Sequence, residues 1–596
     1  RDNPDKTIID LQDGIVHVNG PTSIENLTFV RASWYVYNDL TAVNSVFDGN
    51  CPGQRSIVTL GFDEHVVKFD NCSFINAFND DYGAAINLFD CREAIISNCT
   101  FKDNRAKNGG AIYLKLSNLN VSSTVFSSNH ANFSAGAIFV DGSDLSVYDC
   151  TFVNNSADCG GAIYSEGSIY SYKKDSTVNI GNSLFMNNHA FEGASILSLE
   201  SLAFYLNNCD FINSSSVIGG AAAFLSTHSN ISGCNFENNH VGDGGTVYQI
   251  CGDLNLSNSK FVNNTANNGE VFLFMLDNVC IANNSFIDDG VWAIVSDDEN
   301  LSYKNNTFAD EKVFLKFTPN IFIGNGNYTL IKTNDTFNGT IPAKYDPRDY
   351  GLITSAKDQD QRGYCWAFGT IATLESCILK ATGIKHEFSE MNVANFNGVH
   401  SYYGFRIGDG ASANCALAYL LNWFGPVDEN DDEYSSHKPL SQILNSVFHI
   451  HNVIYLHRNN ISDLNTFKEA ILRYGAVGTS IFFTGDTFNG YTSYDPNHDL
   501  SDHVVSIVGW DDNYSGQNFK ITPPGDGAWI VKNSWGEADG NGCYYISYYD
   551  ATLADSYAFT FLFNDSVRLD KNYQYDFADF LPYGFSNSSV WYKNIS

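Results

Sequence analysis

Basic residues are scarce in this chain: 33 Lys and Arg stand against 67 Asp and Glu in 596 residues, a formal net charge of −34. Such a surface repels phosphate backbones, which excludes nucleic acid as a partner. The acids are spread along the chain rather than gathered in a tail, as on a solvated, salt-tolerant surface. Long apolar runs are also missing. None approaches the ~18 residues a membrane helix needs, so no membrane segment is expected. Cysteine is sparse, at 14, far below the density of a disulfide scaffold. Position 1 is Arg, without initiator Met or signal peptide, and Tyr592 to Ser596 form no closing element. The expectation is an excised part of a longer protein, with any signal or anchor outside it. Sequons at Asn26, Asn98, Asn120, Asn230, Asn255 and Asn300 agree with an extracellular, cell-surface location, although an Asn-rich chain also makes them by chance. The length calls for two or three domains.

What is present in the first half is a repeat. A small residue, one intervening residue and Phe are followed three positions later by Asn, and then by Gly-Gly-Ala-Ile. Cys99-Thr100-Phe101, Asn104 and Gly109-Gly110-Ala111-Ile112 form one copy; Cys150-Thr151-Phe152, Asn155 and Gly160-Gly161-Ala162-Ile163 form another. The anchoring aromatics are Phe47, Phe74, Phe101, Phe126, Phe152, Phe185, Phe211, Phe236, Phe261, Phe286 and Phe308, a period of about 25 residues. Three short strands joined by turns account for one coil of a parallel β-helix, expected over 1–338 with its cap and end region. Cys72, Cys99, Cys150, Cys209 and Cys234 sit two before an anchoring Phe and should point inward with it. Disulfides between coils are disfavoured, since Thr124, Ser183, Ser259 and Asn284 fill the same slot and cannot pair. Each Asn three after Phe should stack at a turn and bond the next coil's backbone, with Gly-Gly at a tight corner. The repeat faces are mostly Asn, Ser and Gly, which suits a spacer or adhesive surface better than a catalytic one.

From 341 the texture changes. Apolar residues recur at three and four over Cys365 to Lys380 and Leu464 to Tyr474, which predicts helices. A Cys365 placed at a helix N-terminus meets the positive end of the macrodipole, which favours thiolate. A thiolate nucleophile needs a proton acceptor and a group to hold that acceptor. His503 lies 138 residues downstream within Ser501-Asp502-His503-Val504, and Asn533 lies 168 downstream within Lys532-Asn533-Ser534-Trp535-Gly536.

Read together, these motifs resemble the papain-like (C1-type) cysteine peptidases: Ile341-Pro342, Asp346-Pro347-Arg348, Gln359 with Cys365-Trp366-Ala367-Phe368, Asp502-His503, and Lys532 to Gly536. The resemblance implies a two-lobed α+β peptidase domain over 341–552 that hydrolyses peptide bonds through an acyl-enzyme. It implies Cys365 as nucleophile, His503 as base and later acid, and Asn533 as the residue that orients the imidazole. Gln359 would supply an oxyanion donor beside the Cys365 backbone N–H, and Trp535 would shield the His503–Asn533 bond. No metal or cofactor is required, and the partners are peptides or proteins. Gly363, Gly410, Ala411, Ser412, Ser480 and Asp502 are carried over as substrate-binding residues, with Ser412, Ala413, Ser480 and Ser501 around a rather polar S2 site. The chain departs from the pattern at Arg362-Gly363-Tyr364-Cys365, where the usual cysteine three before the nucleophile is Arg. Cys377, Cys415 and Cys543 fall on none of the family's bridges. Tyr364 is expected to narrow the cleft, and a surface loop is expected around Asn518 to Gly527. No inhibitory segment is recognisable before 341. The first half resembles the repeats of polymorphic outer-membrane and archaeal adhesin-like proteins, which implies a right-handed β-helix that meets surface glycans or host cells. Residues 553–596 resemble the opening of a lectin-like domain. Two other readings stand beside the peptidase: an adhesin whose papain-like domain binds without cutting, and a hydrolase or acyl transferase of cell-wall peptide cross-links.

Overall fold

The computed structural model describes residues 7–49, 56–167, 176–250, 252–266, 271–274, 278–287, 294–296, 302–309, 315–317, 339–399, 408, 410–435, 438–442, 444–456, 463–483, 486–497, 501–536, 542–555 and 558–563. Of the segment 553–596, read as a lectin-like opening, everything past 563 lies outside the described residues. The chain forms two compact units: Arg1–Pro319 with Gly398–Ile407 and Ser435–Gln442, and Asn320–Asn397 with Gly408–Tyr434 and Ile443–Ser596.

The first unit is a parallel β-helix. All eleven anchoring Phe form one column, with ring centroids 4.8–4.9 Å apart from Phe47 to Phe286 and 5.2 Å at the Phe286–Phe308 step. That spacing is the distance between hydrogen-bonded strands, so one coil adds one strand layer and one ring. Phe29 extends the column below Phe47, outside the regular period. Beside the Phe column run the inward cysteines, all buried, and every described cysteine is a free thiol. In that slot each residue serves its neighbour: the N–H of Cys99 donates to Thr124 Oγ1, Cys150 to Ser183 Oγ and Cys234 to Ser259 Oγ. A third column is the buried asparagine ladder. Asn155 donates to the Phe126 carbonyl at 3.0 Å and to Asn188 Oδ1 at 3.2 Å, and accepts from the backbone and side chain of Asn129. These bonds satisfy polar atoms that burial would otherwise leave unpaired.

From Ile112 to Ala266 each coil carries four short strands rather than the three expected. Ile138–Asp141, Asp144–Tyr148, Thr151–Val153 and Ser156–Cys159 show the pattern. The extra break falls at a left-handed residue just before the Phe strand, such as Asp149 (φ 54°), which bends what would be one strand into two. The Gly-Gly corner is as expected. Gly160 has φ 62°, and a Cβ on Gly161 would lie 2.2 Å from the Ala194 carbonyl of the next coil.

The second unit packs helices α1 (Cys365–Thr382), α2 (Glu390–Val399), α3 (Ala413–Leu421) and α4 (Asn465–Tyr474) with a mostly antiparallel sheet. Its strands are β1 (Asn452–Leu456), β2 (Val477–Ile481), β3 (Thr492–Ser493), β4 (His503–Asp511), β5 (Ala528–Lys532), β6 (Cys543–Ser547) and β7 (Ala558–Leu562), in the order β1-β7-β2-β4-β5-β6-β3, and the two-residue strand Lys344–Tyr345 pairs with β4 off this path. The sheet therefore takes in a strand beyond 552. Strand β4 is central and buried along almost its whole length, so it reads as a continuous apolar run. Trp510 on β4, Trp529 on β5 and Phe467 and Ile471 on α4 form its core. The loop between β4 and β5 holds a short 3₁₀ turn, Gly516–Asn518, and runs to Gly527 as foreseen. Helix α2 carries no strong apolar period and was not legible in the sequence.

Candidate active site

Cys365 is the first residue of α1, and the helix lies directly on β4. The contact depends on Gly369, one turn on: a Cβ there would stand 2.8 Å from the Val504 carbonyl. One turn further, Thr373 Oγ1 donates to Ser506 Oγ at 3.0 Å. This stripe sets the sulfur beside the start of β4, where His503 sits. Both side chains are buried, at 6% and 8% exposure, so neither is an open surface group.

His503 Nε2 lies 2.7 Å from Asn533 Oδ1. A carbonyl oxygen only accepts, so Nε2 carries the proton and Nδ1 keeps its lone pair. Asn533 is fixed in turn, its Oδ1 accepting from the Ser534 backbone N–H at 2.8 Å. Trp535 stands 5.2 Å from the imidazole, ring centre to ring centre. Sequence reasoning missed Phe483, which lies 5.9 Å from His503 and packs edge-on against Trp535 at 4.5 Å. Asp502 is exposed and holds that aromatic wall in place by accepting from the Phe483 N–H at 3.0 Å.

Burial pushes the Cys365 thiol up, and the N–H groups of Val504 and Trp366 only partly offset it. Burial likewise pushes His503 down, against the pull of Asn533 and Asp502. The N–H groups at the helix terminus act toward the thiolate, as the sequence leads one to expect, but burial acts more strongly against it. Each charge is costly on its own in this site, whereas a proton passed from sulfur to imidazole creates both together and leaves the net charge unchanged.

Gln359 is held at four points. Its backbone N–H donates to the Ser534 carbonyl at 2.9 Å, and its carbonyl accepts from Tyr434 Oη at 2.6 Å. Its side-chain oxygen accepts from Ser534 Oγ, and one N–H of its amide donates to the Arg362 carbonyl at 2.7 Å. The second amide N–H of Gln359 has no partner among the described residues. Tyr434, which aims Gln359 together with Ser534, carried no sequence signal of its own, whereas Ser534 lies inside the Lys532 to Gly536 motif. Tyr364 does not narrow the cleft. It is 3% exposed and packs edge-on to Tyr434.

Of the residues carried over as substrate-binding, Gly363 donates its N–H to the Gly408 carbonyl at 2.8 Å, and Gly410 lies close to the Gly363 carbonyl. Ala411 is half-buried beside them. Ser412 uses its hydroxyl to cap α3, accepting from the Asn414 N–H at 3.3 Å, which leaves it less free for a ligand. Ser480 pairs with Val504 across β2 and β4. Cys377, Cys415 and Cys543 are buried thiols without a bridge, as expected.

Behind Asn533 lies a buried charge cluster that the sequence did not announce. Lys357 Nζ reaches Glu390 at 2.9 Å, Glu429 at 3.0 Å and Glu375 at 3.6 Å, while Lys532 Nζ donates to Thr354 Oγ1 at 2.6 Å and lies 3.7 Å from Glu375. Glu375, Glu390, Lys357, Lys532 and Asn533 line a water-sized cavity. Three carboxylates face two ammonium groups. Burial pushes Glu390 up to about 8, against the pull of Lys357.

Among the described residues no group of His, Cys, Asp and Glu is arranged to hold a metal. No helix of the described residues is long and apolar enough to cross a membrane.

Comparison with known proteins agrees with this geometry. Residues 341–554 match the papain family cysteine proteases, and residues 29–211 match the right-handed β-helix region. Cathepsin K of Mus musculus is 29% identical over 225 residues, and cathepsin L1 of Drosophila melanogaster 26% over 271, covering 35% and 40% of this chain. The matches span 62% and 68% of those two proteins. Among solved structures, the clostridial cysteine protease Cwp84 after propeptide cleavage is 32% identical, with a TM-score of 0.35, over 39% of this chain and 61% of that one. The chain thus carries a papain-family C1 cysteine protease domain, joined to an N-terminal right-handed β-helix.

Proposed function

We propose that this protein is a cell-surface cysteine endopeptidase displayed on a β-helical stalk. The observation that carries the reading is His503 bonded through Nε2 to Asn533 at the start of β4, with α1 packed on β4 and Cys365 at its head, and Gln359 with an amide N–H to spare. In this mechanism His503 Nδ1 takes the thiol proton as sulfur adds to the scissile carbonyl. The oxyanion rests on the Gln359 amide and the Cys365 N–H. His503 then protonates the leaving amine, and water attacks the thioester with His503 as base to release the acid and restore the thiol. The aromatic wall of Phe483 and Trp535 keeps water from the His503–Asn533 bond.

Cell-surface placement is supported by the solenoid: ten ring steps from Phe47 to Phe308 give a rigid spacer of about 48 Å. Contact of that spacer with glycans or host cells belongs to the same proposal.

The test is labelling with an epoxide thiol reagent, followed by digestion of unfolded proteins and of cell-wall peptides. Labelled Cys365 with cleavage of unfolded protein supports the reading. Absence of labelling overturns it, and turnover of wall peptides alone replaces it with a cross-link hydrolase.

A further inference from the structure

Resting on the peptidase reading, we infer that Arg362 selects substrates with an acidic side chain immediately N-terminal to the scissile bond. The residue that carries the attacked carbonyl must place that oxygen between the Gln359 amide and the Cys365 N–H. Its side chain therefore leaves the chain beside the segment that joins these two donors, Gln359 to Cys365. Within that segment Gly363 offers no side chain, Tyr364 is turned into the interior and Asp360 is an acid, so Arg362 is the segment's one cation.

Its position is fixed. The Arg362 carbonyl accepts the Gln359 amide at 2.7 Å, which ties its backbone to the oxyanion donor itself. The neighbouring Gly363 N–H pairs with the Gly408 carbonyl at 2.8 Å, and the guanidinium lies along Gly408: a Cβ there would be 2.9 Å from Nη1 and 3.0 Å from Cδ. Gly408 has φ 93° and bears no side chain, so the arginine stem occupies the wall of the cleft where another residue would stand. The side chain is half-buried, and no carboxylate of the described residues forms an ion pair with it. A planar five-donor fork suits a carboxylate, bidentately, better than any other side chain.

The simpler role for Arg362 is to brace Gly408. The two roles differ in their readout. Peptides identical but for Glu, Gln or Lys before the scissile bond are compared on the wild type and on R362Q, R362E and R362K, each normalised to active sites by epoxide titration. The expected kcat/KM is about tenfold or more higher for Glu than for Lys in the wild type. R362Q collapses that ratio, R362E reverses it and R362K preserves its order. A wild-type ratio within about twofold of unity, or a ratio that R362Q leaves unchanged, overturns the inference and leaves the peptidase intact. Labelled enzyme that cleaves none of the peptides overturns the peptidase reading, and this inference with it.

Discussion

Gly369 meets Val504 backbone to backbone: the α-carbon of the helix faces the carbonyl of the residue after the base, with room for hydrogen alone. This contact sets how near α1 comes to β4, and so how near Cys365 comes to His503. Gly369→Ala is expected to push the two elements apart, at about 1–3 kcal/mol in stability. Epoxide labelling of Cys365 should slow by more than about tenfold, since a shift on the order of 1 Å is enough to misplace reacting groups. Thermal unfolding and labelling rates measured together check it; unchanged labelling in a folded variant would refute the role.

The proton balance between Cys365 and His503 gives a second expectation. Alkylation of the wild type should proceed well below the ~8.5 of an ordinary thiol, because His503 can hold the proton. In His503→Ala that partner is gone, and burial, only partly offset by the Val504 and Trp366 N–H groups, pushes the thiol up. Its alkylation midpoint should then rise above that ordinary value of ~8.5. A midpoint that stays low without His503 would show that the helix terminus alone suffices.

Glu390 links stability to pH. Its folded value, about 8, lies above the unfolded ~4.3, so its contribution is present at low pH and is lost as pH rises through 8. Glu390→Gln, which mimics the protonated form, should remove this part of the decline in Tm between about pH 5 and 8. Equal slopes in both proteins would mean that Glu390 is ionised throughout.

In the solenoid, Asn155 makes or accepts four buried bonds across three coils. Asn155→Ala strands the N–H of Asn129 and the carbonyl of Phe126, at about 1–3 kcal/mol for each group left unsatisfied. Phe152→Asp, which buries a charge in the Phe column, should be worse and unfold the neighbouring coils. Chemical denaturation and limited proteolysis report both; a melting curve unmoved by Phe152→Asp would contradict the inward column.

Much of the site was legible because its chemistry needs rare residues in fixed order. Cys365, His503, Asn533, Gln359 and Trp535 could be singled out from their motifs, and the Phe period of about 25 was readable because each coil repeats one core slot. The neighbours that aim those groups were not. Phe483 reaches His503 from the end of β2, Tyr434 clasps Gln359 from 75 residues away, and Lys357 meets Glu375, Glu390 and Glu429 only after folding. None of these residues is unusual in type or spacing.

The sequence by itself therefore determined which atoms can do the chemistry and how often the solenoid repeats, since both follow from residue identity and period. Tertiary structure alone decided how close those atoms come and what charge they bear at rest. Distance and burial arise from packing between segments far apart in the chain, and burial pushes both Cys365 and His503 toward their neutral forms.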